Sequence, residues 1–198
     1  ALPIYALRSV AIDAAGKLWV GGNAAFGYLE SDSLGSLRAV TLRDKIPADK
    51  QAFNTVNQIV TSPQGVFFLA LERAFRWDGK KMQTWDSVSR FSGISNVGDR
   101  IYVSQVGVGL QQIVGDDLRP LPGGDAFKNS RLVRIHAYDE RRILVSAIGE
   151  PLRLYDGEKA TPFPTMADAY LAKHELRIVS ALPDGGFCIG TRSEEHTS

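Results

Sequence analysis

A run of three or four apolar, β-prone residues occurs five times in this chain, each time just after a turn. The runs are Leu18-Trp19-Val20 after DAAGK, Val66-Phe67-Phe68-Leu69 after SPQG, Ile101-Tyr102-Val103 after VGDR, Ile143-Leu144-Val145 after DERR, and Phe187-Cys188-Ile189 after PDGG. Anchored on Leu18, Phe67, Ile101, Ile143 and Phe187, the spacings are 49, 34, 42 and 44 residues. Each run follows a short strand carrying Val10, Ile59, Ile94, Ile135 or Val179, and ends at small residues: Gly21-Gly22, Ala70, Ser104, Ser146 and Gly190. Four of the units continue with a third strand (26–30, 74–78, 109–114, 151–156) and a fourth (37–42, 81–86, 118–122, 160–164). Asp-Gly at 78–79 and 156–157 is a two-residue hairpin signal between the third and fourth strands.

The second strands are continuously apolar, and a strand without polar alternation is buried on both faces. A two-layer β-sandwich is the competing reading, but it leaves one face of each sheet wet and its strands alternating. Four-stranded units at this period, each covered by its neighbours, predict the blades of a β-propeller. The expected fold class is all-β: a β-propeller fragment of about four four-stranded blades plus the start of a fifth, an incomplete ring. The blade repeats lie near 7–53, 54–88, 89–130, 131–176 and 177–191, forming one partial domain over 1–191.

Longer segments join a fourth strand to the next first strand: KIPADKQAF (45–53), GGDAFKN (123–129) and TMADAYLAKHEL (165–176), the last a short-helix candidate with Thr165 as N-cap. With the loops after the second strands they are expected to share one face of the propeller, where binding residues concentrate. The candidate ligand-binding residues on that face are Asn23, Glu72, Arg73, Gln105 and Glu150, with the inner-strand residues Arg134 and His136 joining them at the channel mouth. Asp13, Asp99, Asp139 and Asp184 fall in the turns between first and second strands, where Asp caps local backbone amides. Trp19, Trp77 and Trp85 read as packing between blades, and Cys188 as a small core residue.

VAIDAAGKLWVGG (10–22) resembles the repeat of two-component regulator propeller domains, and LERAFRWDGKKMQTW (71–85) and LPDGGFCIGT (182–191) are similar to it. The third and fourth units lack the Asp-x-x-Gly and the Trp. The resemblance implies the periplasmic, extracytoplasmic sensor region of a bacterial membrane-bound signalling protein, either a two-component sensor kinase or a regulator. A following β-sandwich, and with it a second protomer, would be its protein partners; an unknown small molecule or glycan would be its ligand. The last seven residues, RSEEHTS (192–198), break the repeat and look like a translated sequencing-library adapter on a metagenomic reading frame, a non-native tail.

Composition sets the outer limits. There are 23 Lys and Arg against 22 Asp and Glu, a formal net charge of +1, so nothing points to nucleic acid. One cysteine excludes a disulfide scaffold, and no apolar run approaches the roughly 20 residues of a membrane helix. The chain carries no Gly-x-Ser-x-Gly, His-Glu-x-x-His or Cys-x-x-Cys, and GKK at 79–81 is a hairpin turn. The expectation is a sensing module that is not itself an enzyme, with no catalytic residues, no metal and no cofactor. A protein-binding scaffold and a propeller lyase or hydrolase are the alternatives.

Overall fold

The computed structural model describes residues 7–192. Its strands form β1 (Leu7–Ile12), β2 (Leu18–Gly22), β3 (Ala25–Ser31) and β4 (Leu37–Thr41); β5 (Gln58–Ser62), β6 (Gly65–Leu69), β7 (Arg73–Trp77) and β8 (Met82–Asp86); β9 (Phe91–Val97), β10 (Arg100–Gln105), β11 (Gly109–Val114) and β12 (Asp117–Pro120); β13 (Arg134–Ala137), β14 (Ile143–Ser146), β15 (Arg153–Tyr155) and β16 (Ala160–Pro162); and a pair, β17 (Glu175–Ala181) and β18 (Phe187–Arg192). Each set of four makes its own antiparallel meander in sequence order, and β17 pairs with β18. Every strand expected from the sequence is present, and these sheets are β-propeller blades. The chain divides into two compact units, Ala1–Phe91 and Ser92–Ser198.

In the first unit, the face of blade one that carries Trp19, Phe26 and Tyr28 packs against the face of blade two that carries Val66, Phe68, Phe75 and Trp77. The alternation of side chains along a strand dictates this set: residues two apart, and their cross-strand partners, share a face. Phe26 stacks on Phe68 with centroids 4.2 Å apart, and Phe75 sits 4.9 Å from Phe26 and 4.8 Å from Phe53 of the connection. Phe67 points the other way, 6.3 Å from Trp85, and both Phe67 and Phe68 are fully buried. Two-sided burial of a second strand is thus met in adjacent residues.

Close approach explains the small residues. A Cβ on Gly21 would come within 2.7 Å of Val56, which leads into blade two, and one on Gly27 would lie 1.9 Å from the Val40 carbonyl oxygen. Ser9 in β1 donates its hydroxyl to the Val56 carbonyl at 2.8 Å. The second unit repeats the device. Ser95 in β9 accepts the Ile135 amide at 3.0 Å, Ser92 and Ser104 share a 2.6 Å hydrogen bond, and a Cβ on Gly93 would lie 2.0 Å from the Val133 carbonyl oxygen.

The second unit's blades pack through Tyr102, Leu110, Val133, Ile135 and Val145, and then through Leu144, Leu154, Leu176 and Val179 with Phe187 and Ile189. Tyr155 of β15 donates its hydroxyl toward the carbonyls of Pro122 (2.7 Å) and Gly157 (2.9 Å), and burial pushes its pKa up to about 12. The third long connection forms a single helical turn, α1 (Asp168–Leu171). The N-cap is Ala167 and not the expected Thr165, which lies two residues earlier and accepts the Ala167 amide at 3.2 Å.

A second expectation also fails. Cys188 is exposed and not part of the core, because β18 has only β17 beside it among the described residues and its burial pattern is partial along its length. Within the described residues no helix is long and apolar enough to cross a membrane. Phe68→Ala is expected to lower the free energy of unfolding by about 3–5 kcal/mol, because it empties the middle of the aromatic stack; urea unfolding of the variant beside the parent chain measures it.

Candidate functional site

A concave surface in the first unit opens between blades one and two, on the side of the β1–β2 and β7–β8 turns. It is a cleft of about 590 Å³ whose walls include Trp19, Tyr28, Trp77, Lys17, Asp13 and Asp78. Sequence order builds it. The turn after β1 places Asp13 so that one carboxylate oxygen accepts the amides of Ala15 (3.0 Å) and Lys17 (2.9 Å), while the other accepts the Trp19 indole N–H at 2.8 Å. The indole hydrogen bond, then the Lys17 amide, hold the Asp13 carboxyl below its ordinary value against a small opposing effect of burial. Trp19 is thereby fixed edge-on to Tyr28, its register partner, at 5.4 Å. The Lys17 ammonium lies 3.3 Å from the Tyr28 ring centroid and 5.0 Å from that of Trp19. Trp77 is half-buried and faces the cleft from blade two.

Asp78 caps its turn in the same manner, accepting the amides of Lys80 (2.8 Å) and Lys81 (2.7 Å), and Asp139 and Asp156 do so in the second unit. Backbone amides hold Asp78 and Asp156 below the usual carboxylate range, and for Asp139 the Arg142 guanidinium leads. The turn acids expected at Asp13, Asp139 and Asp184 are caps, Asp184 accepting the Gly186 amide at 2.9 Å.

The residues singled out in the sequence divide between the units. In the first, exposed Asn23 accepts the Thr55 hydroxyl at 2.8 Å, and Glu72 accepts the side-chain and backbone N–H of Asn54. Arg73 has only 12% of its side chain exposed; it pairs with Asp86 and donates to the carbonyls of Lys50 and Ala52. All three thus hold the 45–57 segment against the loops of its own unit. In the second unit, Gln105 is 2% exposed at the end of β10, and its amide nitrogen has no hydrogen-bond partner. Glu150 faces Arg153 at 3.5 Å and lines a separate cleft with Asp168 and Leu171. Arg134 and His136 stand two residues apart on β13 and so share a face. Of the second-unit set, only this pair is brought together.

Sequence reasoning passed over Tyr28, Lys17 and the turn-side cleft. Its signal was present in the Asp-x-x-x-Lys-x-Trp spacing of 13–19 and in Tyr28, which falls opposite Trp19 in a hairpin register. Within the described residues no group of three His, Cys, Asp or Glu side chains is placed to hold a metal ion.

No family model matches the chain, and no curated protein does. Solved structures do. The extracellular domain of the hybrid two-component system BT3049 of B. thetaiotaomicron aligns over 94% of this chain and 27% of its own, with a TM-score of 0.65 at 10% identity. Virginiamycin B lyase of Staphylococcus aureus aligns over 93% of this chain and 62% of its own, with a TM-score of 0.65 at 15% identity. The WD40 β-propeller domain of Doa1 aligns over 96% and 65%, with a TM-score of 0.64 at 13% identity. The fold is a propeller's. The chain spans less than two thirds of the length of each of these proteins.

Because the folded Asp13 carboxyl is held below its unfolded value, its stabilising contribution is complete above the ordinary carboxylate range, near pH 4, and is lost as pH falls through the folded value. Asp13→Asn should therefore be less stable than the parent chain at pH 7, and the difference should narrow when the pH is lowered to about 3. Urea unfolding at the two pH values, followed by tryptophan fluorescence, checks this.

Proposed function

We propose that this chain belongs to the extracytoplasmic, ligand-sensing part of a bacterial membrane-bound signalling protein, and that the cleft between blades one and two receives a small-molecule or glycan ligand. The observation that carries the reading is the conjunction of ring faces and hydrogen-bonding groups in that cleft: Tyr28 and Trp77 half-buried, Trp19 behind them, and Lys17, Asp13 and Asp78 around the rim. A pyranose ring offers apolar C–H faces that stack on aromatic rings and hydroxyls that pair with carboxylates and ammonium groups; a concave site that sets ring faces among polar groups suits it.

The likeness of the fold to extracellular domains of two-component systems, together with the resemblance of residues 10–22 to the regulator-propeller repeat, supports the sensing role. Ligand held between two blades favours one packing of their facing sheets. A signal then passes as a population shift to whatever packs on the propeller, a following β-sandwich or a second protomer in the whole protein.

The test is thermal unfolding of the chain with a panel of neutral mono- and oligosaccharides. A ligand that binds only the folded state raises the midpoint, and above its Kd the rise grows with the logarithm of its concentration. The expected result is a concentration-dependent rise for at least one sugar, lost in Trp77→Ala. A panel without any shift, or a shift that persists unchanged in Trp77→Ala, overturns the assignment of the cleft.

A further inference from the structure

Among the described residues, the second unit holds a half-buried cation, Arg134, without a counter-ion. Its arginines at 119, 142, 153 and 177 each pair with a carboxylate, Asp117, Asp139, Glu150 and Glu175 respectively. Arg134 donates to the neighbouring backbone carbonyl of Val133 at 3.2 Å. Burial alone depresses its pKa, with no carboxylate acting against it. A guanidinium withdrawn from water without an anion is costly, and arginine's planar fork is built to hold two oxygens of one carboxylate or phosphate.

A second group stands beside it. His136, two residues on along β13, projects from the same face; its Nε2 is buried and has no hydrogen-bond partner among the described residues. Its ring meets Phe187 of β18 edge-on at 5.9 Å, which places the shared face toward the β17–β18 pair. Burial and the adjacent Arg134 both hold the imidazole below its ordinary pKa, so it is neutral at pH 7 and has one N–H to donate. Ser146 is the register partner of Arg134 across β14, so its hydroxyl projects from this face as well.

We propose that Arg134 and His136 form a binding site for a small oxyanion, the carboxylate or phosphate group of a solute, on the face of β13 that meets β18. The guanidinium supplies the charge and a pair of parallel N–H donors, the imidazole a third donor, and Phe187 closes one side with an apolar ring. The site is independent of the sugar cleft, since it uses only groups of the second unit, and its failure or success leaves that reading untouched.

The experiment is NMR of the full chain, following the imidazole resonances of His136 and the Nε–H of Arg134 during titration with sodium phosphate and, separately, sodium acetate, against sodium chloride at equal ionic strength. The expected result is a saturable shift at both residues with phosphate or acetate and none with chloride, while His174, which stacks on Tyr170, stays still. Which of the two probes saturates distinguishes a phosphate source from a carboxylate one. Arg134→Gln should weaken the response by about tenfold or more, the worth of a charge-assisted hydrogen bond, and Arg134→Lys should restore part of it. If Arg134→Gln does not fold, His136→Asn in the Arg134 background replaces it and should weaken the response at Arg134. No saturable shift with either probe, an equal shift with chloride, or unchanged affinity in the variants overturns the proposal.

Discussion

Everything in this fold follows from strands that need cover on both faces. Phe67 and Phe68 are neighbours in the chain, point in opposite directions, and are both fully buried. A single sheet cannot satisfy such a strand; it needs another sheet against each face, which is what a series of blades provides. Packing sheets this closely leaves little space where the second strand ends and the next blade begins. Hence Gly21 faces Val56, and Gly93 faces the Val133 carbonyl. Ser9 in the first unit, and Ser92 and Ser95 in the second, satisfy backbone or hydroxyl groups that would otherwise be buried unpaired.

The connections between blades are held by a second recurring device. Arg73 opens β7 and reaches the carbonyls of Lys50 and Ala52 in the segment before its blade; Arg153 opens β15 and reaches the Ala126 carbonyl at 3.2 Å, with Phe127 under its guanidinium at 5.4 Å. In each case a third-strand arginine donates to exposed backbone oxygens of an irregular segment that has no ladder to pair with. Much of the polarity on that side of the blades is consumed in this way. The Lys17 ammonium, by contrast, lies over the rings of Tyr28 and Trp19.

The strands were legible from the sequence because their signals are local. A turn, an apolar run and a small-residue break recur within a dozen residues, and each blade pairs its strands in chain order, so the register follows from the hairpins. The cleft was not legible because it depends on apposition between blades. Tyr28 and Trp77 are 49 residues apart and meet only when two sheets pack. Arg73 read as a loop residue open to ligand, yet its partners Lys50 and Ala52 lie in a connection whose 3₁₀ turn, 48–50, carries no strong sequence signature. Gln105 looked like a surface polar residue and is buried, since it closes a second strand that is buried from Ile101 onward. Cys188 misled for the opposite reason: its run looks like the other second strands, but burial belongs to the neighbouring sheets and not to the run itself.

The ammonium of Lys17 resting on Tyr28 acts as a resident competitor. Any solute that stacks on that ring must first displace a cation already there, so the observed affinity is a difference between two contacts of similar kind. A displaced lysine gains back its hydration and rotamer freedom, and this favours exchange. The cleft would then discriminate less by how well an occupant fits the ring than by whether the occupant also gives the released ammonium something to hold. Molecules bearing an acceptor within reach of Lys17 are selected over bare apolar ones of the same shape.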